Sequence, residues 1–130
     1  MADKKKILIV EDEKALQTTL YIKLMKNGFE PTVCADGQQA IDMLIKTKFD
    51  LVLLDIILPM KDGYMVLEEK AATINKDTPV MVMTNLSQPE HLAHAKKLGA
   101  RDCYMKSQIS LKTVMANIQN VLGFNEPLPA

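Results

Sequence analysis

The sequence lacks an excess charge of either sign: 16 Lys and Arg face 16 Asp and Glu, for a formal net charge of zero. A nucleic-acid binder working through counterion release needs a basic surplus, so that class is excluded as the main activity. The only basic run, Lys4-Lys5-Lys6, reads as a solvated terminus. Cysteine is scarce. Cys34 and Cys103 sit in apolar runs without CxxC spacing and without a nearby His pair. They read as small buried thiols of a reducing compartment, not as metal ligands or a redox pair. No apolar run approaches the ~20 residues that span a bilayer. The N-terminus has no signal-peptide core. These absences together predict a soluble, cytoplasmic protein. Internal repeats and low-complexity stretches are missing too.

What remains is an alternation. With 130 residues the chain is long enough for one domain. Short apolar runs occur at Ile7–Val10, Thr32–Ala35, Leu51–Asp55, Val80–Thr84 and Asp102–Met105. They are rich in Val, Ile, Leu and Met, as strands buried on both faces should be. Between them lie helical patterns. Leu16, Leu20 and Leu24 form one stripe, stopped by Gly28. Ala40, Ile41, Leu44 and Ile45 form a second, after Asp36 as N-cap. A third begins near Gly63 and carries Leu67, Ala71 and Ile74. Ser87-Gln-Pro-Glu90 reads as a capping box opening a helix that Gly99 ends. Leu111, Val114, Met115, Ile118, Val121 and Leu122 make the last face, stopped by Gly123. Five β–α units predict an α/β fold, a doubly wound five-stranded parallel sheet with helices on both faces. Such sheets bind ligands at the carboxyl ends of their strands. The domain is expected over residues 1–124, with 125–130 a short tail and no effector domain after it.

The chemistry gathers at those strand ends. The first strand runs into Glu11-Asp12-Glu13, and the third ends in Asp55 inside an otherwise apolar stretch. A lone carboxylate there is costly unless compensated. If strands one and three are neighbours, Glu11, Asp12 and Asp55 converge, which forces protonation or calls for a cation. An oxygen-only set suits Mg²⁺, with room left for phosphate oxygens. For Glu11 and Asp12 alone, acids at a helix N-terminus explain the pair equally well; Asp55 tips the balance. The fourth strand ends in Thr84 and the fifth in Lys106. Each is unremarkable by itself. With three carboxylates they complete a phosphoryl site: Asp55 as nucleophile, Lys106 and Thr84 for phosphoryl oxygens.

At this point the sequence resembles bacterial response-regulator receiver domains, over roughly residues 5–122. The matching pieces are Ile7-Leu-Ile-Val-Glu-Asp-Glu13, Asp55-x-x-x-Pro59-x-x-Asp62-Gly63, Thr84, Gly99-Ala100 and Lys106. The resemblance implies the strand order 2-1-3-4-5. It implies Asp55 as phosphoacceptor, and Asp12, Asp55 and the Ile57 backbone carbonyl as metal ligands, with Glu11 acting through water. Mg²⁺ is the implied cation, with Mn²⁺ as a substitute. A sensor histidine kinase or histidine phosphotransfer protein is the implied donor. It would dock on the outer face of the first helix, at Ala15, Thr18, Ile22 and Met25. The implied output face for a protein target is helix four, strand five and helix five. The protein is then a phosphoacceptor with self-phosphorylation and autodephosphorylation activity, not a classified enzyme. It is either a diffusible stand-alone regulator or a carrier in a relay.

Four departures from the family pattern stand out. Glu11 takes a place where Asp is common. Cys103 occupies the position of the switch aromatic, with Tyr104 beside it. Ser107 follows Lys106 where a cis proline is usual, and a trans bond is expected. Asn85 follows Thr84 where a small residue is favoured. Two positions after Asp55 and two after Thr84 stand Ile57 and Leu86, expected to shield the phosphoryl group from water. Other readings fit less well. A haloacid-dehalogenase-type phosphatase needs a second carboxylate where Ile57 stands. A flavodoxin-like cofactor binder needs a phosphate loop after strand one. A degenerate scaffold receiver would not keep the full acidic, Thr and Lys set.

Overall fold

A computed structural model describes residues 4–123; the expected tail at 125–130 lies outside them. The elements run β1 (Lys6–Val10), α1 (Lys14–Lys26), β2 (Glu30–Cys34), α2 (Gly37–Lys46), β3 (Leu51–Leu54), α3 (Gly63–Lys70), β4 (Val80–Thr84), α4 (Pro89–Lys97), β5 (Asp102–Met105) and α5 (Leu111–Val121). All strand pairs are parallel, and the sheet order is β2-β1-β3-β4-β5. The doubly wound parallel sheet is the one expected from the alternation, and the strand order is the one the resemblance implies.

The central strands are apolar throughout because both faces are covered. Alternate side chains go to opposite layers. Leu8, Val10, Val52, Leu54, Val80 and Val82 pack with α2, α3 and α4 residues such as Leu44, Leu67 and Ala95. Ile7, Ile9, Leu51, Leu53, Met81 and Met83 pack with α1 and α5 residues such as Leu20, Leu24, Val114 and Ile118. β2 starts earlier than the apolar run suggested and includes Pro31. It is an edge strand, where a missing N–H is tolerated.

Several helix details differ from expectation. Ile45 is 56% exposed. Gly37, Ala40, Ile41 and Leu44 are the buried residues of α2; they span a ~100° arc, and Ile45 falls about 40° beyond it. α3 stops at Lys70, so Ala71 and Ile74 are not on its inner face. The Thr73 hydroxyl donates to the Lys70 carbonyl at 2.8 Å and accepts from the Asn75 N–H at 3.0 Å, turning the chain away. The capping box before α4 does not form. Gln88 is the N-cap, without a side-chain bond, and Pro89 opens the helix. Proline's preference for the first helical position displaces Ser87 from the cap. Cys34 is buried, but Cys103 is only half-buried. Asp36 does cap α2, accepting from the Gln39 N–H at 2.8 Å. Gly28, Gly99 and Gly123 all have positive φ past helix ends, as C-terminal stops require.

Candidate functional site

Asp55 lies one residue past the regular pairing of β3, yet its N–H still donates to the Val10 carbonyl at 3.0 Å. That bond sets Asp55 beside Glu11, which follows Val10 and is tied to β2 through its own N–H and the Cys34 carbonyl at 3.1 Å. One carboxylate oxygen each of Glu11, Asp12 and Asp55 lies within 4.8 Å of the others. Glu11 is 3% exposed and Asp55 6%, while Asp12 faces solvent. The three acids that the sequence placed at two strand ends are therefore one cluster. Its donor atoms are all hard oxygens, the set that Mg²⁺ prefers.

The cluster is held from below by a residue the sequence reading passed over. Gln17 is buried on α1 and its side-chain amide donates to the Glu11 carbonyl. The signal was present. Gln17, Leu20 and Leu24 stand at i, i+3 and i+7, so the amide occupies the inner stripe; Leu16 is only half-buried.

Lys106 supplies the positive charge. Its ammonium lies 2.7 Å from Asp55 Oδ2 and 2.5 Å from Glu11 Oε1. The backbone delivers it there: the Lys106 N–H donates to the Thr84 carbonyl at 2.9 Å at the end of β4. Burial works against this ammonium, but its hydrogen bonds to Asp55 and Glu11 prevail and hold its pKa above the ordinary lysine value. Burial pushes the Glu11 carboxyl up, against the opposing pull of Lys106 and the Glu13 N–H. Thr84 is fully buried at the same edge. Its hydroxyl oxygen accepts from the Leu86 N–H at 3.3 Å.

The loop after Asp55 is fixed by local geometry. The Ile57 N–H donates to Asp55 Oδ1 at 3.2 Å. Asp62 caps α3 by accepting from the Met65 N–H at 2.9 Å. Gly63 donates its N–H to the Ile56 carbonyl at 2.8 Å. A Cβ on Gly63 would stand 2.5 Å from the Asp55 carbonyl oxygen. The Asp-Gly pair of the motif thus has a physical reason: one residue caps, and the next must have no side chain.

The response regulator receiver domain family matches residues 7–119. The chain belongs to that family. Among curated relatives, a probable transcriptional regulator ycf27 of Cyanophora paradoxa is 33% identical over 95% of this chain and 51% of its own length. The transcriptional activator protein PfeR of Pseudomonas aeruginosa is 35% identical over 90% of this chain and 37% of its own length. The chain therefore spans about half or less of these relatives. Among solved structures, a CheY-like receiver domain protein from Methanospirillum hungatei superimposes with a TM-score of 0.86 at 24% identity, covering 93% of this chain and 95% of that one. The receiver domain of the sensor histidine kinase PA1611 from Pseudomonas aeruginosa does so with 0.83 at 27% identity, covering 93% and 99%. That protein has a magnesium ion in its active-site cleft.

The receiver's departures from pattern take definite places. Cys103 points to the α4 layer, its thiol 3.7 Å from the Leu92 carbonyl. Tyr104 points to the opposite layer, packing against the α1–α5 core and accepting from the Asn117 amide at 2.7 Å. Neither is an aromatic in the switch position. The aromatic between α3 and α4 comes instead from Tyr64, 3.0 Å from His91 Nδ1 and edge-on to His94. Among the described residues there is no cis peptide, so Lys106–Ser107 is trans as expected. Asn85 is exposed and Leu86 half-buried against the core. On α1, Ala15, Thr18, Ile22 and Met25 are all exposed, with Tyr21 beside them. Leu92, Tyr104 and Ile109 line a shallow groove on the α4–β5–α5 side. Among the described residues no helix is long and apolar enough to cross a membrane.

Proposed function

We propose that this receiver accepts a phosphoryl group on Asp55 from a phosphohistidine donor. The observation that carries the reading is the Lys106 ammonium shared between Asp55 and Glu11 at the edge where Asp12 and Thr84 also end. A carboxylate oxygen of Asp55 forms the new O–P bond as the donor's N–P bond breaks, and the donor imidazole keeps the electron pair. Lys106, already against Asp55, pairs with a phosphoryl oxygen. The Thr84 hydroxyl leaves the Leu86 N–H and donates to another. Asp12, Asp55 and the Ile57 carbonyl would hold Mg²⁺ directly, with Mn²⁺ as a substitute. Glu11, engaged by Lys106, would reach it through water. The cation supplies neutralisation of charge on the transferring group. A histidine kinase or phosphotransfer protein docks on Ala15, Thr18, Ile22 and Met25, and the phosphorylated receiver signals through protein contacts or passes the phosphoryl group on.

Incubation with acetyl phosphate and Mg²⁺ should add one phosphoryl group per chain, read by intact mass. Asp55→Asn should abolish it. Labelling that survives this change undiminished would sink the assignment.

A further inference from the structure

The loop between β3 and α3 contains a backbone conformation that has to be held. Met60 has φ 69°, a left-handed value unfavourable for any residue with a Cβ. Its side chain is 79% exposed, so its own packing does not pin it. Strain of this kind persists only where the surroundings over-determine it. Here the surroundings are the first turn of α2. The Gly37 N–H donates to the Pro59 carbonyl at 3.2 Å, one residue before Met60. A Cβ on Gly37 would stand 1.8 Å from the Lys61 carbonyl oxygen and 2.6 Å from its carbon, one residue after Met60. Gly37 is buried and has no positive φ. Glycine is needed here for close approach and not for an unusual dihedral. The turn itself is capped by Asp36. Lys61 is held from the far side by Glu69 at 2.8 Å.

The clamped loop joins Asp55 to α3 and is short. At its start the Ile57 N–H is bonded to Asp55, and at its end the Gly63 N–H is bonded to Ile56. Any shift of Pro59–Lys61 is therefore passed to Ile56 and Ile57. The geometry points to Gly37 as a positioning residue for the divalent-cation site. By having no side chain, it lets α2 press the Pro59–Lys61 backbone into the shape that orients the Ile57 carbonyl and the Asp55 carboxylate. This rests on the phosphoryl-acceptor reading above.

Gly37→Ala in the full chain, titrated with Mg²⁺ alone and followed by amide NMR shifts, tests the clamp. The dissociation constant should rise about tenfold, the scale of loss when a group supporting a metal ligand is removed. Ala40→Gly is the control. It weakens the same helix from a core position and should leave Mg²⁺ affinity near that of wild type, because it adds no atom against the Lys61 backbone. A second measurement uses the wild type only. Coupling between sites is reciprocal, so Mg²⁺ should slow solvent exchange of the Gly37 N–H. The clamp is overturned by wild-type affinity in Gly37→Ala, by an equal loss in Ala40→Gly, or by Gly37 exchange indifferent to Mg²⁺. If Gly37→Ala does not fold, the exchange result decides. A wild type that binds no Mg²⁺ overturns the acceptor reading and the clamp together; binding with an unaffected variant overturns the clamp alone.

Discussion

The two ends of the sheet solve the problem of buried polarity in opposite ways. At the amino end a neutral side chain, Asn75, is fully buried. Its oxygen accepts from the Phe49 N–H at 2.7 Å and the Thr78 hydroxyl at 2.9 Å. Its amide donates to the Leu44 and Thr47 carbonyls, both at 2.7 Å. Every donor and acceptor of that amide is used. At the carboxyl end three carboxylates cluster, and two of them, Glu11 and Asp55, share one ammonium. Among the described residues no buried side-chain polar atom there lacks a partner, but the charge does not cancel. The amino end is built to hold the fold. The carboxyl end holds unbalanced negative charge that a cation would relieve, which is how functional sites depart from the stability optimum.

Removing the amino-end hub should therefore have the largest effect on stability. Asn75→Ala strands the Phe49 N–H and two carbonyls in the interior. The expected loss is roughly 3 kcal/mol, a fall in melting temperature of about 10 °C for a domain of this size. Mg²⁺ affinity of the folded variant should be unchanged. A fall of less than a few degrees would show that the contrast between the ends is wrong.

The carboxyl end should respond in the opposite direction. Asp55→Asn removes one of the converging negative charges and leaves Glu11 paired with Lys106. In metal-free buffer this variant should be more stable than wild type by about 1 kcal/mol, read by thermal unfolding. Saturating Mg²⁺ should reverse the order, because only the wild type gains binding energy. A variant less stable than wild type without metal would mean that the Lys106 pair outweighs the repulsion.

The two ends also differ in how much the sequence disclosed. Asp55 broke an apolar run, and a broken pattern is visible without knowing the fold. Thr84 and Lys106 ended such runs. Asn75 sits between Ile74 and Lys76 in an irregular stretch, where nothing marks it. Its partners come from positions 26 to 31 residues earlier and from Thr78. Only the tertiary fold brings them together. Gly37 is the same case: its role depends on an approach to Lys61 from another βα unit. Gln17 was half-legible, since helical spacing put it inside but could not say which carbonyl it would meet. The strands were legible because burial on both faces leaves no polar residue to confuse the pattern. The ends of α3 and α4 were not, because Thr73 and Pro89 override the periodicity through local bonds.

The smallest expected effect on stability carries the most information about the carboxyl end. Ile57 is 55% exposed, so Ile57→Asn should change stability by no more than about 0.5 kcal/mol. Its N–H already serves Asp55, and the backbone bond survives the substitution. The side chain stands two positions beyond Asp55 and offers no hydrogen bond. Hydrolysis of phospho-Asp55 needs a water in line behind phosphorus, and an amide there can orient one. A hydrogen bond worth about 1 kcal/mol in the transition state speeds the step roughly fivefold. The half-life of purified phosphoprotein in Mg²⁺ should shorten by that factor, while the melting temperature stays put. With Leu86, half-buried against the core, expected to shield from the β4 side, wild-type decay should be slow compared with rapidly resetting chemotaxis regulators. Unchanged decay in Ile57→Asn, or wild-type decay within seconds, would show that the exposed isoleucine does not guard the phosphoryl group.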